Sequence, residues 1–311
     1  MELCLMHQFV HLDISSLKLK RLYLKHHLLD DGTDIPLEIF APCLQYFEIS
    51  GNLENVDCRL VDVSSLVNAK LTYRSFCFNA PCTDLSDDDD LSDGDVDEDR
   101  CHGYHRCLRT LVPYNLQKLS CAAELTIGTW FTEVLCMLQL EEVPIPELKC
   151  KYLTLELHIK KFNLYGAAGI LQASPYVETL NIDIATVDTQ RCPFELKYLT
   201  EGDNIDLQSW FSRLEFPNLK NVKLVNKIDN SVRACLKDHS EQCYVKLFKL
   251  SEFLLQNATV LEKFIIISKT RECGNCFTNC VHPYFLQLAE KLLGSPRSST
   301  ICSYLPGVSF L

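Results

Sequence analysis

When "LQASPYVETLNIDI" (Leu171 to Ile184) is laid over "LQNATVLEKFIIIS" (Leu255 to Ser268), a Leu, a Gln, a Glu and an alternating apolar end coincide. Shorter copies follow the same grammar: "LKRLYL" from Leu19, "APCLQYFEIS" from Ala41, "AAELTI" from Ala122 and "FPNLKNVKLV" from Phe216. The shared core is apolar-x-x-apolar-x-apolar, often after a Pro. The residues aligned with Leu180 are Leu22, Phe47, Ala69, Leu125, Leu153, Val222 and Phe264. Their successive spacings are 25, 22, 56, 28, 27, 42 and 42 residues, where 56 reads as two periods and 42 leaves room for an insertion.

Alternation in "ETLNIDI" sends Leu180, Ile182 and Ile184 to one face of a strand and Thr179, Asn181 and Asp183 to the other. One such strand and its return segment cannot bury that apolar face alone, so copies must stack. Several spacings fall within the roughly 20–29 residue period of leucine-rich repeats. The expected fold is therefore α/β: a leucine-rich-repeat solenoid, or horseshoe, with one short strand plus a helical or irregular return per repeat. "DLQSWFSRL" and "PYFLQLAEKLLG" are return segments with helical stripes, the first through Leu207, Trp210, Phe211 and Leu214. The second runs through Phe285, Leu288, Ala289 and Leu292 and stops at Gly294. An ordinary α/β domain with coincidental similarity is the competing reading, and the residue-by-residue match of the two long copies argues against it.

In such a stack the outward strand positions form the concave binding face. They are Arg21, Tyr23, Tyr46, Glu48, Glu124, Thr126, Thr179, Asn181, Asp183, Asn221, Lys223 and Lys263. Thr179, Asn181 and Asp183 are expected to face solvent. The stretch "LKLKRLYLKHH" reads as the first strand, with Leu19, Leu22 and Leu24 exposed at the end of the stack.

The formal charge of −11 comes from one block. "DLSDDDDLSDGDVDED", Asp84 to Asp99, holds ten carboxylates and no cation, and removing them brings the charge to −1. No basic surface for nucleic acid is implied. The block reads as a solvated, disordered insertion between two repeats, which would also explain the 56-residue spacing. An EF-hand reading fails, because setting Gly94 as its sixth residue puts Leu91 and Arg100 where oxygen ligands belong. Ser86 and Ser92, each with an Asp three residues on, suit an acid-directed kinase. No apolar run reaches the length of a membrane span, and the N-terminus lacks the basic start of an export signal. The 17 cysteines then read as reduced thiols, mostly small buried apolar residues, in a cytoplasmic or nuclear protein.

Two clusters invite a zinc reading: Cys273, Cys276, Cys280 and His282, and Cys101, His102, His105 and Cys107. Only one CxxC half-site occurs and no second pair lies at a standard distance, so structural thiols are expected and no metal is assigned. No HExxH, GxSxG, P-loop or GxGxxG is present, and "GAAG" at Gly166 sits in a helical pattern. A non-enzymatic binding protein without cofactors is the expectation.

The phrases "LEIFAPCLQYFEISG", "RLVDVSSLVNAKLTY", "ELTIGTWFTEVL", "FPNLKNVKL" and "LSEFLLQNATVLEKFIIIS" resemble plant F-box/leucine-rich-repeat proteins, the last resembling the start of their FBD-like segment. The resemblance covers roughly residues 10 to 295. It implies a repeat array that holds a protein substrate for an SCF-type ubiquitin ligase. The family's F-box, opened by an Ile-x-x-Leu-Pro-like motif, finds no match, since the chain is in repeat grammar by Leu19. The adaptor subunit is thus an expected partner only where an F-box is supplied upstream; neither nucleic acid nor membrane is. A solenoid acting as scaffold or decoy, without ligase connection, is the alternative. The expected organisation is repeats over 1–81, the acidic insertion over 82–107, repeats with the FBD-like segment over 108–294, and an irregular tail over 295–311.

Overall fold

The computed structural model describes residues 2–5, 12–26, 35–52, 56–74, 110–158, 161–184, 215–226, 240–268 and 282–294. The acidic run, both Cys/His clusters, the "DLQSWFSRL" stripe and the 295–311 tail lie outside the described residues, apart from the backbone of His282.

Nine parallel strands form the main sheet. In chain order they are β1 (Glu2–Leu5), β3 (Arg21–His26), β5 (Tyr46–Asn52), β7 (Asn68–Arg74), β8 (Glu124–Ile127), β9 (Tyr152–Leu157), β10 (Thr179–Ile184), β11 (Asn221–Asn226) and β12 (Lys263–Ser268). Each strand lies beside the one that precedes it in this series. The register is the one the aligned repeats imply. Leu22 pairs with Phe47, Phe47 with Ala69, Ala69 with Leu125, and so on through Leu153, Leu180, Val222 and Phe264. All eight are buried, as is the second inward row of Leu24, Ile49, Leu71, Ile127, Leu155, Ile182, Leu224 and Ile266. Burying one such aliphatic side chain stabilises by about 1.5–3 kcal/mol, so these two rows are the main reason the strands stack.

The turn before each strand is also repeated. Two successive amides at the strand entry donate to one carbonyl of the preceding unit: Gln45 and Tyr46 to Lys20, then likewise to Gln45, Val67, Ala123, Lys151, Glu178 and Lys220. Seven such forks in succession identify one structural unit used again and again.

Three sequence expectations need correction. First, the two-period reading of the 56-residue spacing fails, because β7 pairs directly with β8 and no strand of the main sheet stands between them; the spacing is a single step, as the insertion reading requires. Second, the stretch around Leu22 is not the first strand. The register sets β1 beside β3 from Glu2↔Tyr23 to Leu5↔His26, and Leu22 and Leu24 are internal. Third, the early returns are strands rather than helical or irregular segments. β2 (Leu12–Ser15), β4 (Ile35–Phe40) and β6 (Val56–Asp62) form a separate parallel sheet in the order β2-β4-β6.

Helices replace strands in the returns farther along. They are α1 (residues 110–119), α2 (Thr129–Leu140), α3 (Lys161–Gln172), α4 (Ser240–Asn257) and α5 (His282–Leu293). Of the expected α5 stripe, Leu288, Ala289 and Leu292 are buried, and the side chain of Phe285 lies outside the described residues. The repeat containing Leu254 to Ser268 is a helix-to-strand joint between α4 and β12. No helix among the described residues is long and apolar enough to cross a membrane.

The handover from strand returns to helix returns leaves the outer edge of β6 needing partners. Buried Asn115, on α1, supplies them: its Nδ2 donates to the Cys58 carbonyl at 2.7 Å, and the Leu60 amide donates to its Oδ1 at 3.1 Å. One side chain thus imitates the next strand and closes the edge. Asn115→Leu keeps the volume and orphans both backbone groups. It is expected to lower stability by about 2–4 kcal/mol, measured by urea denaturation. A change below about half a kcal/mol would mean that water replaces both bonds.

Among the described cysteines, Cys58, Cys136 and Cys150 are buried and Cys43 and Cys121 are exposed. Burial pushes the Cys136 and Cys150 thiols up, so both are inert apolar fillers.

Candidate partner-binding face

Alternation along each main-sheet strand directs every second residue away from the core. Stacked in register, these residues make three rows across the sheet. The first row reads Arg21, Tyr46, Asn68, Glu124, Tyr152, Thr179, Asn221 and Lys263. The second reads Tyr23, Glu48, Lys70, Thr126, Thr154, Asn181, Lys223 and Ile265. The third includes Lys25, Ser50, Thr72, Glu156, Asp183, Val225 and Ile267.

Eleven of the twelve residues expected on this face are open to solvent to some degree. Arg21, Glu124, Lys223 and Lys263 are exposed; Tyr23, Tyr46, Glu48, Thr126, Thr179, Asn181 and Asn221 are half-buried. Asp183 is the exception, at 8% exposure. Its register partner Val225 is equally enclosed at 8%, so the outward face is roofed at that end of β10 and β11. Alternation fixes the face a side chain takes and says nothing about what lies over it.

The residues fall into separate groups. Over β3, β5 and β7 the rings of Tyr23 and Tyr46 meet at a centroid distance of 4.9 Å, with the Arg21 guanidinium 5.8 Å and 5.2 Å from the two rings. The Tyr46 hydroxyl donates to Glu48 Oε2 at 2.7 Å and Lys70 Nζ to Glu48 Oε1 at 3.0 Å. Over β7 to β11 the contacts are short polar ones: Asn68 to Glu124, Asn181 to Thr154 at 3.2 Å, and Asn221 to Thr179 at 3.4 Å. Over β12 the face turns apolar, through Ile265 and Ile267. Lys223 and Lys263 sit apart from the β3–β7 group. Missing from the sequence expectation are Asn68, Lys70, Tyr152 and Thr154, which flank the aligned residues Ala69 and Leu153 and follow from the same alignment.

Electrostatics ties the first group together. Burial, then the hydrogen bond to Glu48, raises the Tyr46 hydroxyl to about 12. Burial pushes the Glu48 carboxyl up, but hydrogen bonds from Tyr46 and Lys70, with the Lys70 and Lys25 charges, outweigh it and leave it below its ordinary value. A depressed carboxyl contributes stability that is complete above its unfolded pKa, near about 4.3, and is lost as pH falls through the lower folded value. Glu48→Gln is therefore expected to reduce stability at pH 7 and to match the parent at pH 2. Chemical denaturation at the two pH values checks this, and an equal gap at both would contradict it.

A further ladder runs along the strand entries, where Glu178 is bridged by Lys151 at 3.0 Å and Lys220 at 3.1 Å. These pairs are solvent-accessible and contribute little to stability.

Comparison with known proteins agrees with the repeat architecture. The chain is 28% identical over 231 residues to an F-box/LRR-repeat protein of Arabidopsis thaliana, covering 74% of this chain and 42% of the relative. A second Arabidopsis F-box/LRR-repeat protein is 29% identical over 192 residues, 60% of this chain and 35% of the relative. A third is 23% identical over 293 residues, 94% of this chain and 54% of the relative. The chain spans about half the length of these relatives or less. No family model matches, and no solved structure does.

Proposed function

We propose that this chain, similar to plant F-box/LRR-repeat proteins along most of its length, is the partner-binding portion of a substrate receptor for an SCF-type ubiquitin ligase. It acts without catalysis, as a leucine-rich-repeat solenoid, and it binds a protein on the outward face of the nine-stranded sheet. The observation that supports this reading most is the uninterrupted register of that face. From β3 to β12 eight strands present half-exposed or exposed side chains of mixed chemistry in two continuous rows. A face this regular can match an extended surface of a partner, while the inward rows keep its shape fixed.

The test joins the chain to an F-box module of one of the relatives and expresses it in plant cells. Proteins whose abundance falls, and recovers under proteasome inhibition, are the receptor's partners. Thr154→Arg with Asn181→Arg, which crowds the middle of the face, should restore their abundance. The same set falling with both versions would contradict binding on this face.

A further inference from the structure

We propose that Tyr152 anchors the bound partner, its ring taking an uncharged, apolar side chain of the partner protein; this deepens the function above and rests on it. Tyr152 heads β9, the fifth of the eight strands from β3 to β12, and so stands near the middle of the first outward row. It is 50% exposed. Among the described residues, the other exposed large apolar side chains lie in connections, on helices or on the β2-β4-β6 sheet. Tyr23 and Tyr46 share the outward face, but their rings pack on each other and the Tyr46 hydroxyl is held by Glu48. Among the described residues no hydrogen bond or ring contact engages Tyr152. Tyrosine is among the side chains in which binding energy concentrates, near the centre of an interface.

The neighbours of the ring decide what it can take. Tyr152 stands at the strand entries, where the connections into β8, β9 and β10 are all described. The carboxylates there are already engaged: Glu124, beside Tyr152 in the β8 register, accepts from Asn68, and Glu178 is bridged by Lys151 and Lys220. Two carboxylates against two ammonium groups leave neither sign in excess. Thr179 on β10 and Thr154 farther along β9 are neutral, and each accepts from an asparagine. A charged partner group over the ring would lose its water and find no opposite charge in excess to meet it. An aliphatic or proline side chain instead gains from covering the ring, and the Tyr152 hydroxyl can donate to a backbone carbonyl beside it.

The F-box fusion of the full chain, carrying single changes at Tyr152, tests this through the abundance of the proteins that the parent fusion depletes in plant cells. Thermal unfolding of each variant should stay within about 2 °C of the parent, because the ring lies at the surface. Tyr152→Phe should keep the depletion within about twofold of the parent's, and Tyr152→Leu should weaken it. Tyr152→Glu and Tyr152→Lys should both abolish it. Tyr176→Glu, at a site 47% exposed in the connection before β10, should leave it within about twofold. Greater depletion by the Glu or the Lys variant than by the Leu variant would mean that the partner brings a charge to this site, and would overturn the proposal. So would depletion unchanged in all four Tyr152 variants, or an equal loss from Tyr176→Glu. Should Thr154→Arg with Asn181→Arg restore partner abundance while the Tyr152 variants do not, the anchor alone is wrong and the binding face stands. If the parent fusion depletes nothing, the receptor reading itself fails, and the anchor with it.

Discussion

Phe47→Ala is expected to destabilise the protein by about 3–5 kcal/mol, the range for emptying a large buried aromatic site. Phe47 is among the largest fully buried side chains and stands in β5 between Leu22 and Ala69, the small neighbour that leaves room for its ring. Its chain neighbour Glu48 faces the opposite way, and Ser50 beyond Ile49 does the same. Ser50→Ala should therefore cost less than about 0.5 kcal/mol, as surface substitutions usually do. Equilibrium denaturation of the two variants measures the contrast. Equal losses would contradict the register, because a one-residue slip exchanges the faces of the whole strand.

Gly166→Ala is the second large effect, and its sign is the informative part. At an exposed site in a helix this exchange stabilises by about 1 kcal/mol. Gly166 lies inside α3, where a Cβ would overlap the Thr132 carbonyl of α2. That obstruction is backbone, held in turn by Asn163, whose Nδ2 donates to Thr132 Oγ1 at 3.0 Å and to the Thr129 carbonyl at 3.1 Å. The two helices must separate to admit one methyl group, and a loss of about 3 kcal/mol is expected. At Gly169→Ala the nearest obstruction is the Gln139 side chain, which can move at the cost of its bonds to the Leu135 and Tyr165 carbonyls. Its effect should be the smaller. Thermal unfolding of both variants checks the order, and a stabilised Gly166→Ala would show that the helices are not this close.

The strand rows were legible in the sequence because period-2 alternation is strictly local. Leu180, Ile182 and Ile184 face the core for the same reason that Thr179 and Asn181 do not. The nature of the returns was less legible, although the spacing held a clue. Steps of 25 and 22 residues, Leu22 to Phe47 and Phe47 to Ala69, return through strands β4 and β6. Steps of 28 and 27, Leu125 to Leu153 and on to Leu180, return through helices α2 and α3. An extended segment advances about 3.3 Å per residue and a helix about 1.5 Å, so the shorter loops can span the return only as strands. In "IPLEIF" the alternation of Leu37 and Ile39 against Glu38 and Phe40 carries the same message.

Tertiary features were beyond local pattern. Asn115 closes an edge strand more than fifty residues away in the chain, and nothing around it distinguishes it from any surface asparagine. Asp183 occupies an outward position yet is buried because that part of the face is covered. The Tyr46–Glu48–Lys70 contact needed the register of β5 against β7, which becomes visible only after Ala69 is aligned with Phe47. The main-sheet alignment therefore predicted which residues share the face, and three-dimensional packing determined how they group on it.

Site-specific photo-crosslinking tests the central claim most directly. A photoreactive phenylalanine analogue is placed singly at Tyr152 or Thr154, on the outward face of the main sheet, and at Glu38 or Arg59, on the exposed side of the β2-β4-β6 sheet. With partners identified by the turnover experiment, Tyr152 and Thr154 should form partner adducts and Glu38 and Arg59 should not. Adducts formed equally well or better from Glu38 and Arg59 would place the partner on the other layer and contradict the account.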